Sequence, residues 1–257
     1  MNPWHDARLL NLLANLLFGA TLFACMASAV WWVSQRPAFT LHKVEVEASP
    51  GHELRHVSPT VLRATVEREV RGNFFSTRLG EVRAVFESVP WVRRASVQRV
   101  WPDGLIVELE EHRALALWGD GRLVNTFGEL FSANLGEAEE NGPLPQFSGP
   151  PGTEMHVARR YDELGRVLAP LGARPQALAL SDRHAWTLKL DDGTTLLLGR
   201  DQGIPIDRRL ARWVETYPQV MVQLNRRAEL IDLRYPNGFA IRSLALLADE
   251  QEAETAR

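Results

Sequence analysis

From Leu9 to Val33 the chain reads LLNLLANLLFGATLFACMASAVWWV, 25 residues without a charge between Arg8 and Arg36. As a helix this run would extend about 37 Å, enough to cross a hydrocarbon core of about 30 Å with some tilt. Trp31 and Trp32 stand near its far end, where indoles favour the headgroup zone. Two cleavage signals compete with an anchor: the small-residue triplet Ala27–Ala29, and the box ending at Cys25. The apolar run continues past both, so its length favours an uncleaved transmembrane helix over residues 9–33, after a short tail of residues 1–8. Charge gives little orientation, because Arg8 is opposed by Asp6 while Arg36 and Lys43 follow the span.

The 257 residues leave room for two modest domains beyond the anchor. A formal net charge of −3 provides no basic footprint for nucleic acid. The single cysteine, Cys25, excludes an internal disulfide framework and any multi-cysteine metal site.

After a linker at residues 34–40, alternation in LHKVEVEAS predicts a first strand. Ser58 and Pro59 signal a helix start, with Val61, Leu62, Thr65, Val66 and Val70 on one stripe and Gly72 closing it. A second helix follows Thr77, placing Leu79, Val82, Val85, Phe86 and Val89 inward until Pro90. Two strands then flank the turn Trp101-Pro102-Asp103-Gly104. The order is strand, helix, helix, strand, strand, over residues 41–112.

Residues 113–248 read as short strands punctuated by turns. ALALWGDGRLVN and AWTLKLDDGTTLLLG each hold Asp-Gly between apolar alternations, a strong hairpin signal. In the second, Trp186, Leu188 and Leu190 share a face. One helix is expected over about 154–171, with Val157, Ala158, Tyr161, Leu164 and Leu168 inward. Another is expected from Pro205 to Tyr217, with Ile206, Leu210, Trp213, Val214 and Tyr217 inward and Pro218 ending it. LIDLRYPNGFAIRSL, residues 230–244, reads as two strands around a Pro-Asn-Gly turn, and residues 249–257 as a frayed charged tail. The fold class expected is α+β: an N-terminal transmembrane helix, a βααββ domain, and a β domain with a mixed sheet and flanking helices.

One stretch imitates catalytic chemistry. His52-Glu53-Leu54-Arg55-His56 matches H-E-x-x-H, in which two histidines four apart on a helix bind zinc beside a glutamate base. Here Pro50-Gly51 and Ser58-Pro59 bracket it, leaving too little helix, and no spacing nominates His112, His156 or His184 as a third ligand. It reads as a polar connection. No nucleophile elbow or phosphate cradle occurs, and the pair Glu110-Glu111 would face opposite sides of a strand, or be solvated in a loop. The sequence points to no metal site, no cofactor and no enzyme.

The stretch from Gly72 to Ala133, above all PWVRRASVQRVWPDGLIVELEEHRALALW, resembles the FtsQ/DivIB family of bacterial cell-division proteins. LLLGR, RRLARWVETYP and LIDLRYPNGFAIR resemble that family's C-terminal blocks, so the likeness spans roughly residues 9–246. It implies a cytoplasmic N-terminus, one span of the inner membrane, and a POTRA domain followed by a β domain, both periplasmic. It implies a non-enzymatic role linking earlier and later division proteins at the septum, with influence on septal wall synthesis. The partners implied are FtsB and FtsL, with FtsK, FtsW and FtsI also in the network. The resemblance places the FtsB-binding surface at Arg200, Tyr235, Asn237 and Gly238 and along Phe239, Ala240, Ile241, Arg242, Ser243 and Leu244. A last strand with no successor leaves N–H and C=O groups open to a partner strand. A POTRA-bearing outer-membrane assembly or secretion factor is the rival reading; it would need a barrel of many ten-residue strands.

Overall fold

A computed structural model describes residues 7–70, 72–224 and 228–243. The chain divides into two compact units, residues 1–111 and 112–257. In the first, α1 (Ala7–Ser34) is one continuous helix carrying the apolar run, and its 25-residue span from Leu10 to Ser34 is nowhere buried by protein. Lipid, rather than protein, is the medium that such a surface fits.

The rest of this unit contains β1 (Lys43–Ala48), α2 (Pro59–Glu69), α3 (Leu79–Glu87), β2 (Val92–Val100) and β3 (Gly104–Glu111). The sheet order is β1-β3-β2. β1 runs parallel to β3, with Lys43 opposite Gly104, and β2 runs antiparallel to β3. The two helices supply the crossover that parallel β1 and β3 require. Leu62, Val82, Phe86, Leu105, Val107 and Leu109 close the core. Val61, expected to face inward, is 45% exposed. α2 buries only Leu62 fully, so its apolar stripe is narrower than the sequence spacing implies.

The second unit is built on a nine-stranded mixed sheet among the described residues, in the order β12-β11-β10-β9-β8-β7-β4-β5-β6. Its strands are β4 (Ala114–Trp118), β5 (Leu123–Asn125), β6 (Leu130–Phe131), β7 (Gln146–Ser148), β8 (Pro175–Leu180), β9 (Trp186–Leu190), β10 (Thr195–Gly199), β11 (Ala228–Asp232) and β12 (Ala240–Ser243). The helices are α4 (Leu135–Ala138), α5 (Glu154–Leu168) and α6 (Ile206–Leu224). Both expected Asp-Gly hairpins form, as β4–β5 and β9–β10. β6, β7, β8 and α4 carry patterns too short or too mixed to stand out in the sequence.

α5 packs on β7 and β8, α6 packs on β10, and the two helices touch. Trp186, Leu188, Leu190, Leu196, Leu210 and Trp213 are buried between these layers. Proline 218 does not end α6, which continues to Leu224. A mid-helix proline forfeits one backbone bond at a cost of about 3 kcal/mol. Ahead of it Ile206, Leu210 and Trp213 are buried, and the Tyr217 ring is tilted against Trp213 at 4.5 Å.

Candidate partner-binding edge

β10 and β11 run parallel, so the chain must return across the sheet between them, and α6 makes that return. The chain then reverses once more, laying β12 antiparallel on β11 with Asp232 opposite Ala240 and Leu230 opposite Arg242. Among the described residues no strand lies beyond β12, which therefore presents an open edge.

Side chains of this last segment alternate. Phe239 and Ile241 are partly buried against the core, whereas Ala240 and Arg242 are exposed. Phe239 precedes the strand rather than beginning it, and Leu244 lies outside the described residues, as does the tail from Asp249. Tyr235 is 54% exposed, so it does not pack inward. Asn237 is exposed, and Gly238 is partly buried. Gly238 does not use a left-handed backbone, so no positive φ demands a glycine there.

The parallel register places Thr195 opposite Leu230 and Leu197 opposite Asp232. Leu233 N continues the ladder to Leu197 O at 3.0 Å. Exposed Arg200 and Tyr235 both follow the ends of these parallel strands and so lie at the same end of the sheet. The structure thus gathers Arg200, Tyr235, Asn237 and Gly238 at one end of β10 and β11, with β12 running back from them.

Three arginines outside the expected set build this end. Arg209 of α6 is 7% exposed. Its guanidinium donates to Leu198 O at 2.7 Å, Leu233 O at 3.0 Å, Arg200 O at 2.8 Å and, through Nε, Ile204 O at 3.0 Å. One planar cation thereby closes the ends of β10 and β11 and the loop into α6. Burial pushes the Arg209 guanidinium below its usual range. Arg212 Nη1 donates to Pro236 O at 2.6 Å, holding the turn that displays Tyr235 and Asn237. Arg234 grips Asp232 through Nε at 2.8 Å and Nη2 at 2.6 Å, and its side chain crosses Gly199. A Cβ on Gly199 would stand 2.8 Å from Arg234 Cγ, and the φ of +70° is itself a glycine conformation. The sequence offered one signal for these residues. Arg209 lies three positions after Ile206 and four before Trp213, on the inward stripe where a charge is out of place.

The Arg234 hydrogen bonds hold the Asp232 carboxyl below its ordinary value of 3.8. The ionised form is favoured only in the folded chain, so its contribution is whole above that value and is lost as pH falls through the depressed one. Thermal midpoints measured against pH will show Arg234→Ala less stable than the parent at pH 7. The gap will close as the pH is taken below about 3.8. A gap that persists unchanged in acid would remove Asp232 ionisation from the account.

The H-E-x-x-H stretch is not helical. His56 Nδ1 bonds Glu111 at 2.6 Å, while His52 Nε2 lies 3.7 Å from Glu110, so the imidazoles serve different carboxylates. Glu110 and Glu111 lie in β3 and are not solvated charges. Glu110 pairs with Arg93 at 2.6 Å. Glu111 accepts from the backbone N–H groups of Arg55 and His56 at 2.6 and 2.9 Å, pinning the loop back to the sheet.

A membrane-spanning helix, a βααββ unit and a mixed sheet ending on an open strand define a membrane-anchored protein of POTRA type. The family model for the POTRA domain of FtsQ type matches residues 51–112. The model for the C-terminal region of cell division protein FtsQ/DivIB matches residues 116–234. Cell division protein FtsQ of Bordetella pertussis is 43% identical over 98% of this chain and 97% of its own length. The proteins of the same name from Burkholderia pseudomallei and Nitrosospira multiformis are 41% and 39% identical, over 95% and 93% of this chain and 95% and 98% of theirs. The chain belongs to the FtsQ family of cell-division proteins.

Proposed function

We propose that this chain is a non-enzymatic scaffold of the division septum that captures a partner strand on the free edge of β12. Residues 1–8 lie in the cytoplasm, α1 spans the inner membrane, and the POTRA domain (41–112) and β domain (113–248) lie in the periplasm. FtsB, together with FtsL, adds a strand to β12, with backbone bonds supplying affinity and side-chain pockets supplying register. Arg200, Tyr235, Asn237 and Gly238 form the head of that surface, and Phe239, Ala240, Ile241, Arg242, Ser243 and Leu244 its length. FtsK, FtsW and FtsI engage the POTRA and transmembrane regions. Through these contacts the chain joins early and late division proteins and helps control septal wall synthesis.

The observation that carries this reading is the position of β12: last in its sheet, antiparallel on β11, its outer side unpaired among the described residues. Exposed Tyr235 at its head adds an aromatic anchor of the kind that dominates interface energetics. Tyr235→Glu is expected to weaken capture of an FtsB segment roughly tenfold or more while leaving the thermal midpoint unchanged. Equal affinity of parent and variant in a pull-down titration would sink the edge-strand reading.

A further inference from the structure

The end of α1 is tied directly to the folded part of its unit. Asn73 Nδ2 donates to the carbonyl of Ser34 at 2.6 Å. A bridge pairs Thr40 with Asn73, and Phe74 N donates to Phe39 O at 2.7 Å. Strand directions do the rest. The start of β1, the end of β2 and the start of β3 share one end of the sheet, so the turn at Trp101 lands beside the tether. His42 N reaches Asp103 O at 3.1 Å and fixes it there.

Three segments distant in sequence thus deliver Phe39, Phe74, Phe75 and Trp101 to a single tip. Phe39 lies 5.2 Å from Phe75 and 5.3 Å from Trp101, and Phe74 lies 5.5 Å from Trp101, between ring centroids. Phe75 is nevertheless 52% exposed and Trp101 65% exposed. An exposed cluster of large rings marks a surface that meets something apolar. Between the tip and α1 lies a groove of about 600 Å³, with Met26, Val30 and Val33 on one wall and Phe39, Phe75 and Trp101 on the other.

The depth of this tip follows from helix length. The 25 residues from Leu10 to Ser34 span about 37 Å, longer than a hydrocarbon core of about 30 Å. The last turn therefore emerges in the headgroup zone, where Trp31 and Trp32 also lie, with the Arg36 guanidinium 3.5 Å above the Trp32 ring. A hydrogen bond to Ser34 keeps Asn73, and with it the aromatic tip, at that level. Arg99 sits at the rim, donating to Phe74 O at 2.8 Å and Thr77 O at 2.6 Å. The nearby Asp103 carboxylate lies 3.6 Å from His42 Nδ1.

We infer that the aromatic tip of the POTRA unit is a membrane-docking element. Phe75 and Trp101 are seated in the interfacial zone of the bilayer, with phospholipid acyl chains filling the groove beside α1. The groove's inner wall is the same helix surface that lipid surrounds, and only Ser34 contributes a polar lining residue. The POTRA unit then rests on the membrane at a set height instead of swinging from its linker. This inference depends on α1 spanning the membrane.

The test uses full-length protein in nanodiscs of phosphatidylethanolamine and phosphatidylglycerol, with one nitroxide per chain. The label is placed at native Cys25, or at Phe75→Cys, Trp101→Cys or Arg55→Cys in a Cys25→Ser background. Arg55 serves as the aqueous control, because its loop is bonded to Glu111 at the opposite end of β3. Relaxation by oxygen is expected to exceed relaxation by a polar nickel chelate several-fold at positions 25, 75 and 101, with the order reversed at 55. Aqueous behaviour at 75 and 101 with an apolar Cys25 would overturn the docking element while leaving the anchor standing. An aqueous Cys25 would overturn both. Labels at 75 and 101 that turn apolar only when a second protein is added would assign the groove to a partner helix and overturn the lipid seat.

Discussion

Proline substitutions along β12 are expected to divide by parity, some abolishing partner capture and others loosening the sheet. In an extended strand each residue turns its N–H and C=O to the same side, and its neighbour turns them to the other. Ala240 and Arg242 therefore share one side of β12's backbone ladder, and Ile241 takes the other. One side bonds β11 and the other is open. A proline whose lost N–H faced the open side removes a bond to the incoming strand and obstructs its approach. Binding of an FtsB segment should then fall tenfold or more, about 1.4 kcal/mol per tenfold, with the thermal midpoint nearly unchanged. A proline of the opposite parity removes a bond to β11 and lowers the midpoint instead. Titration calorimetry beside thermal denaturation reads both quantities on Ala240→Pro, Ile241→Pro and Arg242→Pro. If binding survives in all three, strand addition at this edge is wrong.

The largest stability effect is expected at Arg209. Arg209→Ala strips hydrogen bonds from the carbonyls of Leu198, Arg200, Ile204 and Leu233 at once. Orphaned buried acceptors cost about 1–3 kcal/mol each where water cannot reach them. A net loss of about 3 kcal/mol or more is expected, which lowers the midpoint of a domain this size by roughly 10 °C. Arg209→Lys should recover little, because an ammonium cannot direct donors along the planar fork that meets these four oxygens. Capture at β12 should weaken in parallel, because the same guanidinium holds the β11 end from which Tyr235 projects. A midpoint within 2 °C of the parent for Arg209→Ala would show that water or other groups satisfy those carbonyls.

Elements governed by local chemistry were legible in the chain as written. The uncharged run from Leu9 to Val33 could only be a long helix, since every backbone group in lipid must be bonded within its own segment. Alternation and Asp-Gly turns placed β4–β5 and β9–β10, and helical spacing placed α3 and α5. Those signals act over a few residues, so tertiary contacts had little left to alter. Pro218 shows the opposite case. The local rule ends the helix at Pro218, whereas α6 runs through it to Leu224.

The candidate edge was legible only in part. Its residues were nominated by chain order and family likeness, but their assembly needed long-range pairing. That β11 lies parallel to β10, so that Arg200 and Tyr235 fall at the same end of the sheet, depends on α6 crossing the sheet. That Phe239 and Ile241 lean on the core while Ala240 and Arg242 face outward depends on the register with β11. Helical spacing sets Arg209 on the inward stripe of α6, but only the converging strand ends show which carbonyls its guanidinium closes. The aromatic tip is the extreme instance. Phe39, Phe75 and Trp101 share no motif, and they meet because a parallel pairing, a reversed strand and the Asn73 bond to Ser34 bring three chain segments to the end of the anchor. Periodicity reports which face of an element avoids water, whereas the meeting of separate segments is set by the lowest free energy of the whole fold, which no short stretch encodes.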